Sequence, residues 1–182
     1  EGRSVVILLD ASASMQARDE VGGRDRFERA VEHVRDTIDA LGPKDEAMLV
    51  VVDHAVRPLT PFVDDAAALE RALIGVTAAD TPGQLAEALR FGGDALRDRA
   101  RAHLVVASDG AGRDTAFVDL PAHVALHLHE VGRTRDNVGI TAFNARRYPA
   151  NRTDFEVYVR VENFAQSPAE VELSIWANGR MS

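Results

Sequence analysis

Apolar positions along the chain follow two kinds of pattern, and the change from one to the other divides it. Ser4-Val5-Val6-Ile7-Leu8-Leu9 is a continuous apolar run that stops at Asp10. It is too short for a helix and rich in β-branched residues, so it predicts a strand buried on both faces. From Phe27 the spacing changes. Phe27, Ala30, Val31, Val34, Ile38 and Leu41 fall on one face of a helix, which Gly42-Pro43 ends. Residues 47–52 form a second buried strand. The stretch 55–62 follows after only Asp53-His54, a link too short for a parallel crossover, and predicts an antiparallel edge strand. Helical spacing returns over 66–74 and 82–99, and buried strands over 103–107 and 124–130. Strands alternating with helices predict a doubly wound, mostly parallel sheet covered on both faces, with one antiparallel edge strand.

After Val131 the period becomes two. Phe155, Val157, Val159 and Val161 alternate with Glu156, Tyr158, Arg160 and Glu162, the pattern of a half-exposed antiparallel strand. Residues 138–145, 155–163 and 171–177 read as three strands without a helix between them. Asn151-Arg152-Thr153-Asp154 and Ala165-Gln166-Ser167-Pro168 read as turns. The boundary falls near 133–137, giving an α/β domain over 1–133 and a short all-β segment over 138–182, the start of a β-sandwich. Three strands leave open edges, which invite pairing with a second copy of the chain.

The 182 residues suffice for one domain with a sizeable core and a small appendage. A net charge of −8 without a basic run argues against nucleic acid as a partner. The absence of cysteine removes disulfides, thiolate nucleophiles and Cys-based metal sites. No apolar run approaches the ~20 residues of a membrane-spanning helix.

The chemistry gathers at strand ends. Asp10 closes the first buried strand and Asp109 follows the strand over 103–107. In a doubly wound sheet these two strands can be neighbours where strand order reverses, the crevice in which such sheets bind ligands. Two carboxylates at one spot repel each other and resist desolvation, and a divalent cation neutralises both. Ser12 and Ser14 alternate along the loop after Asp10, and Thr81 precedes Pro82 near a helix start. Hard oxygen donors without imidazole or thiolate select magnesium, with manganese or calcium as alternatives, over zinc. Each residue also has a plainer explanation. Asp10 and Ser12 can cap a helix, Thr81-Pro82-Gly83-Gln84 is a capping box, and Asp109-Gly110 is a common turn. Their coincidence at one edge of one sheet favours a metal site.

Asp-x-Ser-x-Ser at Asp10, Ser12 and Ser14, a threonine at Thr81 before a central helix, and Ser108-Asp109-Gly110 after the fourth strand resemble the metal-ion-dependent adhesion site of von Willebrand factor type A domains. The resemblance covers residues 4–131 in the order and spacing of elements. It implies that Ser12, Ser14 and Thr81 touch the ion, that Asp10 and Asp109 act directly or through water, and that a partner's Asp or Glu completes the octahedron. Two departures stand out: Ala79-Asp80 replaces the glycines that often precede the threonine, and the family's usual last helix is missing. The passage from the strand over 124–130 into β-type sequence, through Leu-His-Glu-Val-Gly-Arg, is similar to Bat-type (aerotolerance-associated) bacterial proteins. Those are anchored by transmembrane segments, so the resemblance implies a soluble piece of a membrane-anchored parent.

These residues predict a metal-dependent protein-binding module rather than an enzyme, with Met15, Gln16, Gly110 and Ala111 forming the rim around the open metal position. One alternative is a phosphate-processing hydrolase at the same crevice. The haloacid dehalogenase type places a second Asp two residues after the first, where this chain has Ser12, and no Gly-x-x-x-x-Gly-Lys loop or Gly-x-Ser-x-Gly elbow occurs. Another alternative is an A domain braced by a structural metal. His123, His127 and His129 share one side of the strand expected over 124–130. A His-x-His pair can bind zinc, but no third ligand is evident, and an edge-strand face covered by the β segment is the simpler expectation.

Overall fold

The computed structural model describes residues 2–110, 118–133, 138–148, 151–163, 167–177 and 180–181. The chain divides into two compact units, Glu1–Arg133 and Thr134–Ser182.

The first unit is a five-stranded sheet with helices on both faces. Strands β1 (Ser4–Asp10), β2 (Glu46–Val52), β3 (Val56–Pro58), β4 (Ala102–Ser108) and β5 (Ala125–Glu130) lie in the order β3-β2-β1-β4-β5. All neighbours are parallel except β3, which pairs antiparallel with β2. Every residue of β1 is buried, as its unbroken apolar run requires. Its alternate side chains divide between two core layers. Ile7 and Leu9 pack with Phe27, Ala30, Val34 and Ile38 of α1 (Arg26–Asp39) and Leu69 of α2 (Ala66–Leu73). Val6 and Leu8 pack with Leu85, Ala88 and Leu89 of α3 (Leu85–Ala95) and with Leu104 and Val106. Gly92 has a packing reason, since a Cβ there would lie 2.6 Å from Leu104 Cδ1.

Three expectations shift. The helix expected over 82–99 is confined to Leu85–Ala95, and Gln84 precedes it without a side-chain cap. The edge strand expected over 55–62 is three residues long, followed by a single antiparallel bridge from Ala47 to Val63. His123 precedes β5 rather than lying on it.

In the second unit, β6 (Val138–Tyr148) and β7 (Asn151–Asn163) form an antiparallel hairpin, and β8 (Trp176–Ala177) pairs with β9 (Arg180–Met181). The turn expected at 151–154 lies within β7, because Tyr148 already pairs with Asn151. The strand expected over 171–177 forms only at Trp176-Ala177; alternation marks a segment able to be a strand, but a strand also needs a neighbour to bond. The register of the hairpin brings Ile140 beside Val161, Phe143 beside Val159 and Ala145 beside Val157.

Candidate metal centre

The parallel register sets the carboxyl ends of β1 and β4 side by side at the point where strand order reverses. Asp10 is buried there and both its oxygens are engaged: Oδ1 accepts from the Ser12 amide at 2.9 Å and Oδ2 from the Ser108 hydroxyl at 2.6 Å. Burial pushes the Asp10 carboxyl above the usual carboxylate range; the bonds from Ser108 and Ser12 oppose that shift, and the Asp109 charge adds to it. Beyond Asp10 the chain closes a 3-10 turn over Ala13–Gln16, which sets the Ser12 and Ser14 hydroxyls 3.3 Å apart. Ser12 makes no side-chain capping bond to that turn, so capping does not account for its hydroxyl.

Thr81 reaches the same loop from the other side. Its carbonyl accepts from the Ala13 amide at 2.9 Å, and the Ala79 amide donates to the Ala11 carbonyl at 2.7 Å. Helix α3 begins four residues later, so Thr81 is not its cap. The buried Thr81 hydroxyl finds no hydrogen-bond partner among the described residues. A buried hydroxyl left so costs about 1–3 kcal/mol, and a site with unmet donors calls for an occupant. Gly83 keeps the space open: a Cβ there would stand 3.0 Å from Ser12 Cβ and 3.4 Å from Asp10 Oδ1.

Asp109 approaches from the end of β4 with its side chain only 2% exposed, and Arg26 Nη1 donates to its Oδ2 at 2.8 Å. Gly110 adopts a left-handed φ of 69°, and its amide donates to Ser108 Oγ at 3.1 Å. Ser108, quoted only within the Ser108-Asp109-Gly110 motif, gains a role of its own through its bond to Asp10. Arg26 carried no local signal, because its partners are Asp19 and Asp109.

The rim differs from expectation. Met15 is fully buried in the core beneath the turn and so is not on the rim, whereas Gln16 is exposed and its amide donates to Asp80 Oδ1 at 2.7 Å. Gly110 is exposed at the mouth, and Ala111 lies outside the described residues. The histidines do not converge. His103 Nδ1 and His127 Nε2 share a hydrogen bond at 3.0 Å between nearly parallel rings, His129 stacks on His33, and His123 Nε2 lies 3.3 Å from the Leu96 carbonyl. Among the described residues no three His, Cys, Asp or Glu side chains form a metal cage, so a cation at Asp10 depends on hydroxyl oxygens.

The von Willebrand factor type A domain family matches residues 5–111. Three solved structures share the fold. BatB from Bacteroides thetaiotaomicron is 17% identical with a TM-score of 0.62, over 91% of this chain and 82% of that one. An aerotolerance-related membrane protein from Bacteroides fragilis is 17% identical with a TM-score of 0.61, over 90% and 82%. A von Willebrand factor type A protein from Catenulispora acidiphila is 19% identical with a TM-score of 0.57, over 70% of this chain and 32% of that one. No curated protein matches the chain.

Proposed function

Because the chain belongs to the von Willebrand factor type A family, whose domains are in general interaction modules, we propose that it binds a protein partner through one divalent ion at Asp10. Ser12, Ser14 and Thr81 supply direct oxygen ligands, Asp10 and Asp109 act directly or through water, and an Asp or Glu of the partner takes the position left open. Magnesium suits the set best, with manganese and calcium as substitutes. The observation that carries this reading is the buried, unpartnered Thr81 hydroxyl beside the Asp10–Ser14 loop. Charge supports it: Asp109 is close enough to Asp10 for the two carboxylates to repel, and a divalent cation offsets that repulsion. Gln16 and Gly110 form the rim that the partner meets.

The reading includes no turnover. Both oxygens of Asp10 are held by hydrogen bonds, which blunts it as a nucleophile, and its recorded donors are an amide and a hydroxyl rather than a base. The A-type unit is further proposed to belong to a membrane-anchored parent, as its likeness in fold to a Bacteroides membrane protein suggests. Among the described residues no helix is long and apolar enough to cross a membrane.

Thr81→Val tests the ligand set. Replacing an unpaired hydroxyl by a methyl group of the same shape should leave stability in chelator unchanged or slightly raised. It should also weaken magnesium binding about tenfold, read by calorimetry. Unchanged affinity removes Thr81 from the site. For the site as a whole, magnesium at a hundredfold excess over its dissociation constant should stabilise the wild type by ~2.7 kcal/mol. A melting curve unmoved by millimolar magnesium, manganese and calcium sinks the metal. A partner retained by Asp10→Ala as tightly as by wild type would leave the ion a structural brace.

A further inference from the structure

Histidine is gathered at one seam of the first unit. Four of the six histidines in the chain form two couples on the face of β5 that looks toward α1. Across β4 and β5, His103 Nδ1 and His127 Nε2 lie in hydrogen-bond contact at 3.0 Å. Across α1 and β5, the His33 and His129 rings stack with centroids 4.8 Å apart. Little else holds β5. It is the edge strand, it pairs with β4 alone in its sheet, and none of its residues is fully buried. Leu126 and Leu128, on its other face, are 43% and 67% exposed. A strand held so lightly belongs to the part of a fold that opens first. It also runs straight into Val131, whose amide donates to the Ser108 carbonyl at 3.0 Å, two residues before the first unit ends at Arg133.

An imidazole couple holds only while it is short of protons. A neutral ring has one N–H donor and one acceptor, so one ring donates to the other, and a single added proton leaves that bond in place. With a second, both nitrogens are donors, no acceptor remains, and two charges face each other; a stacked couple gains the same repulsion. We propose that the two couples make β5 a pH-sensitive strand, fastened to β4 and α1 while the imidazoles are neutral and loosened when mild acid charges both members of each couple. The surroundings offer little counter-charge. Around His103 stand Arg3, Arg101 and Asp45, and Asp45 is already bound by Arg3. Around His33 stand Arg29, Glu32 and Asp36. Glu32 is already bound by Arg24 and Arg29, and Asp36 is exposed, where screening weakens its pull. Burial and then the His127 ring push the His103 imidazole below its ordinary value; burial, Arg29 and the His129 ring do the same to His33. A base depressed in the folded state contributes stability that is present above its unfolded value of about 6.5 and is lost as pH falls below it.

The test is amide hydrogen exchange of the full chain at about pH 7.5 and about pH 5.5, either side of the ordinary histidine value, corrected for the intrinsic effect of pH on exchange. In the wild type the protection of the β5 amides should fall about tenfold at the lower pH, the change that one unit of pKa depression produces, while that of β1 holds. His33→Gln with His103→Asn removes the more enclosed ring of each couple and leaves His127 and His129 without an imidazole to repel. In that variant β5 should exchange alike at both pH values. A wild-type β5 indifferent to pH, an equal fall in β1, or a fall that survives in the double variant overturns the proposal. Should the double variant not fold, nuclear magnetic resonance titration of the wild-type rings decides. Both His33 and His103 titrating below about 6.5 supports the proposal, and either one titrating at or above that value overturns it.

Discussion

The two units bury apolar side chains to very different extents although both are patterned for it. In Glu1–Arg133 the strands β1, β2 and β4 lie between two helical layers, and Ile7, Leu8, Leu49, Val50 and Leu104 are removed from water altogether. In the hairpin of the second unit Ile140, Phe143, Val157 and Val161 share one face, and they remain between 37% and 64% exposed. Both segments obey a binary pattern, the first because strands covered on both sides read as unbroken apolar runs, the second because one face turns outward. The difference teaches that patterning specifies which residues seek cover, while the cover must come from another layer. The first unit carries that layer within its own sequence. A two-stranded ribbon does not, and ribbons alone are marginal in water.

The largest expected effect lies in the first unit. Leu8→Ala removes a fully buried side chain from the layer formed with Leu85, Leu89 and Val106, and it should cost about 2–5 kcal/mol by denaturant unfolding. A loss below about 1 kcal/mol would mean the two layers are not packed as described.

Ion pairs sharpen the comparison. Arg3 donates to both oxygens of Asp45, through its amide at 2.7 Å and its guanidinium at 2.6 and 2.8 Å, across 42 residues of sequence. The guanidinium and amide of Arg3, with the Gly42 amide, hold the Asp45 carboxyl well below the usual carboxylate range. A carboxyl depressed in the folded state contributes stability that is present above its unfolded value of about 3.9 and is lost as pH falls below it. Asp45→Asn should therefore cost about 1–2 kcal/mol at pH 7, allowing for the half-exposed arginine, and the gap from wild type should close as pH drops from 4 toward 2. In the second unit Arg146 pairs with Glu156 across the hairpin, both exposed, and Glu156→Gln should change stability by no more than a few tenths of a kcal/mol. Equal losses from the two substitutions would erase the contrast.

What was legible in the sequence follows the same division. Runs and periods located β1, α1, β2, α2 and β4 because each buries itself within a short window; β5, expected as a buried strand, pairs with β4 but is exposed at every residue except the half-buried His129. That Asp10, Ser12 and Ser14 lie together was legible because they come from one short stretch after β1. Met15 was misjudged because the sense of that turn, which sends its side chain inward, depends on backbone angles that apolar spacing does not encode. Arg26 was invisible for the opposite reason: its burial depends on Asp109, 83 residues away. The stretch 171–175 alternates as well as any strand, but it pairs with nothing described, and alternation does not report whether a neighbour exists.

The smallest expected effect bears most directly on the comparison. Phe143 is 64% exposed on the hairpin, so its removal sacrifices little burial in the isolated chain. Phe143→Ser should change unfolding free energy by no more than about 0.5 kcal/mol, the range of surface substitutions away from special features. It should at the same time lower the binding of a hydrophobic dye, since Ile140, Phe143, Val157 and Val161 form the kind of contiguous apolar patch that such probes find. The two readouts separate two states of the face. If it is open in solution, dye binding falls and stability holds. If a second copy of the chain covers it, Phe143→Ser should cost well over 1 kcal/mol, and the cost should shrink on dilution as the covering copy is lost. A concentration-dependent loss would show that the second unit has the same requirement as the first and meets it with another chain.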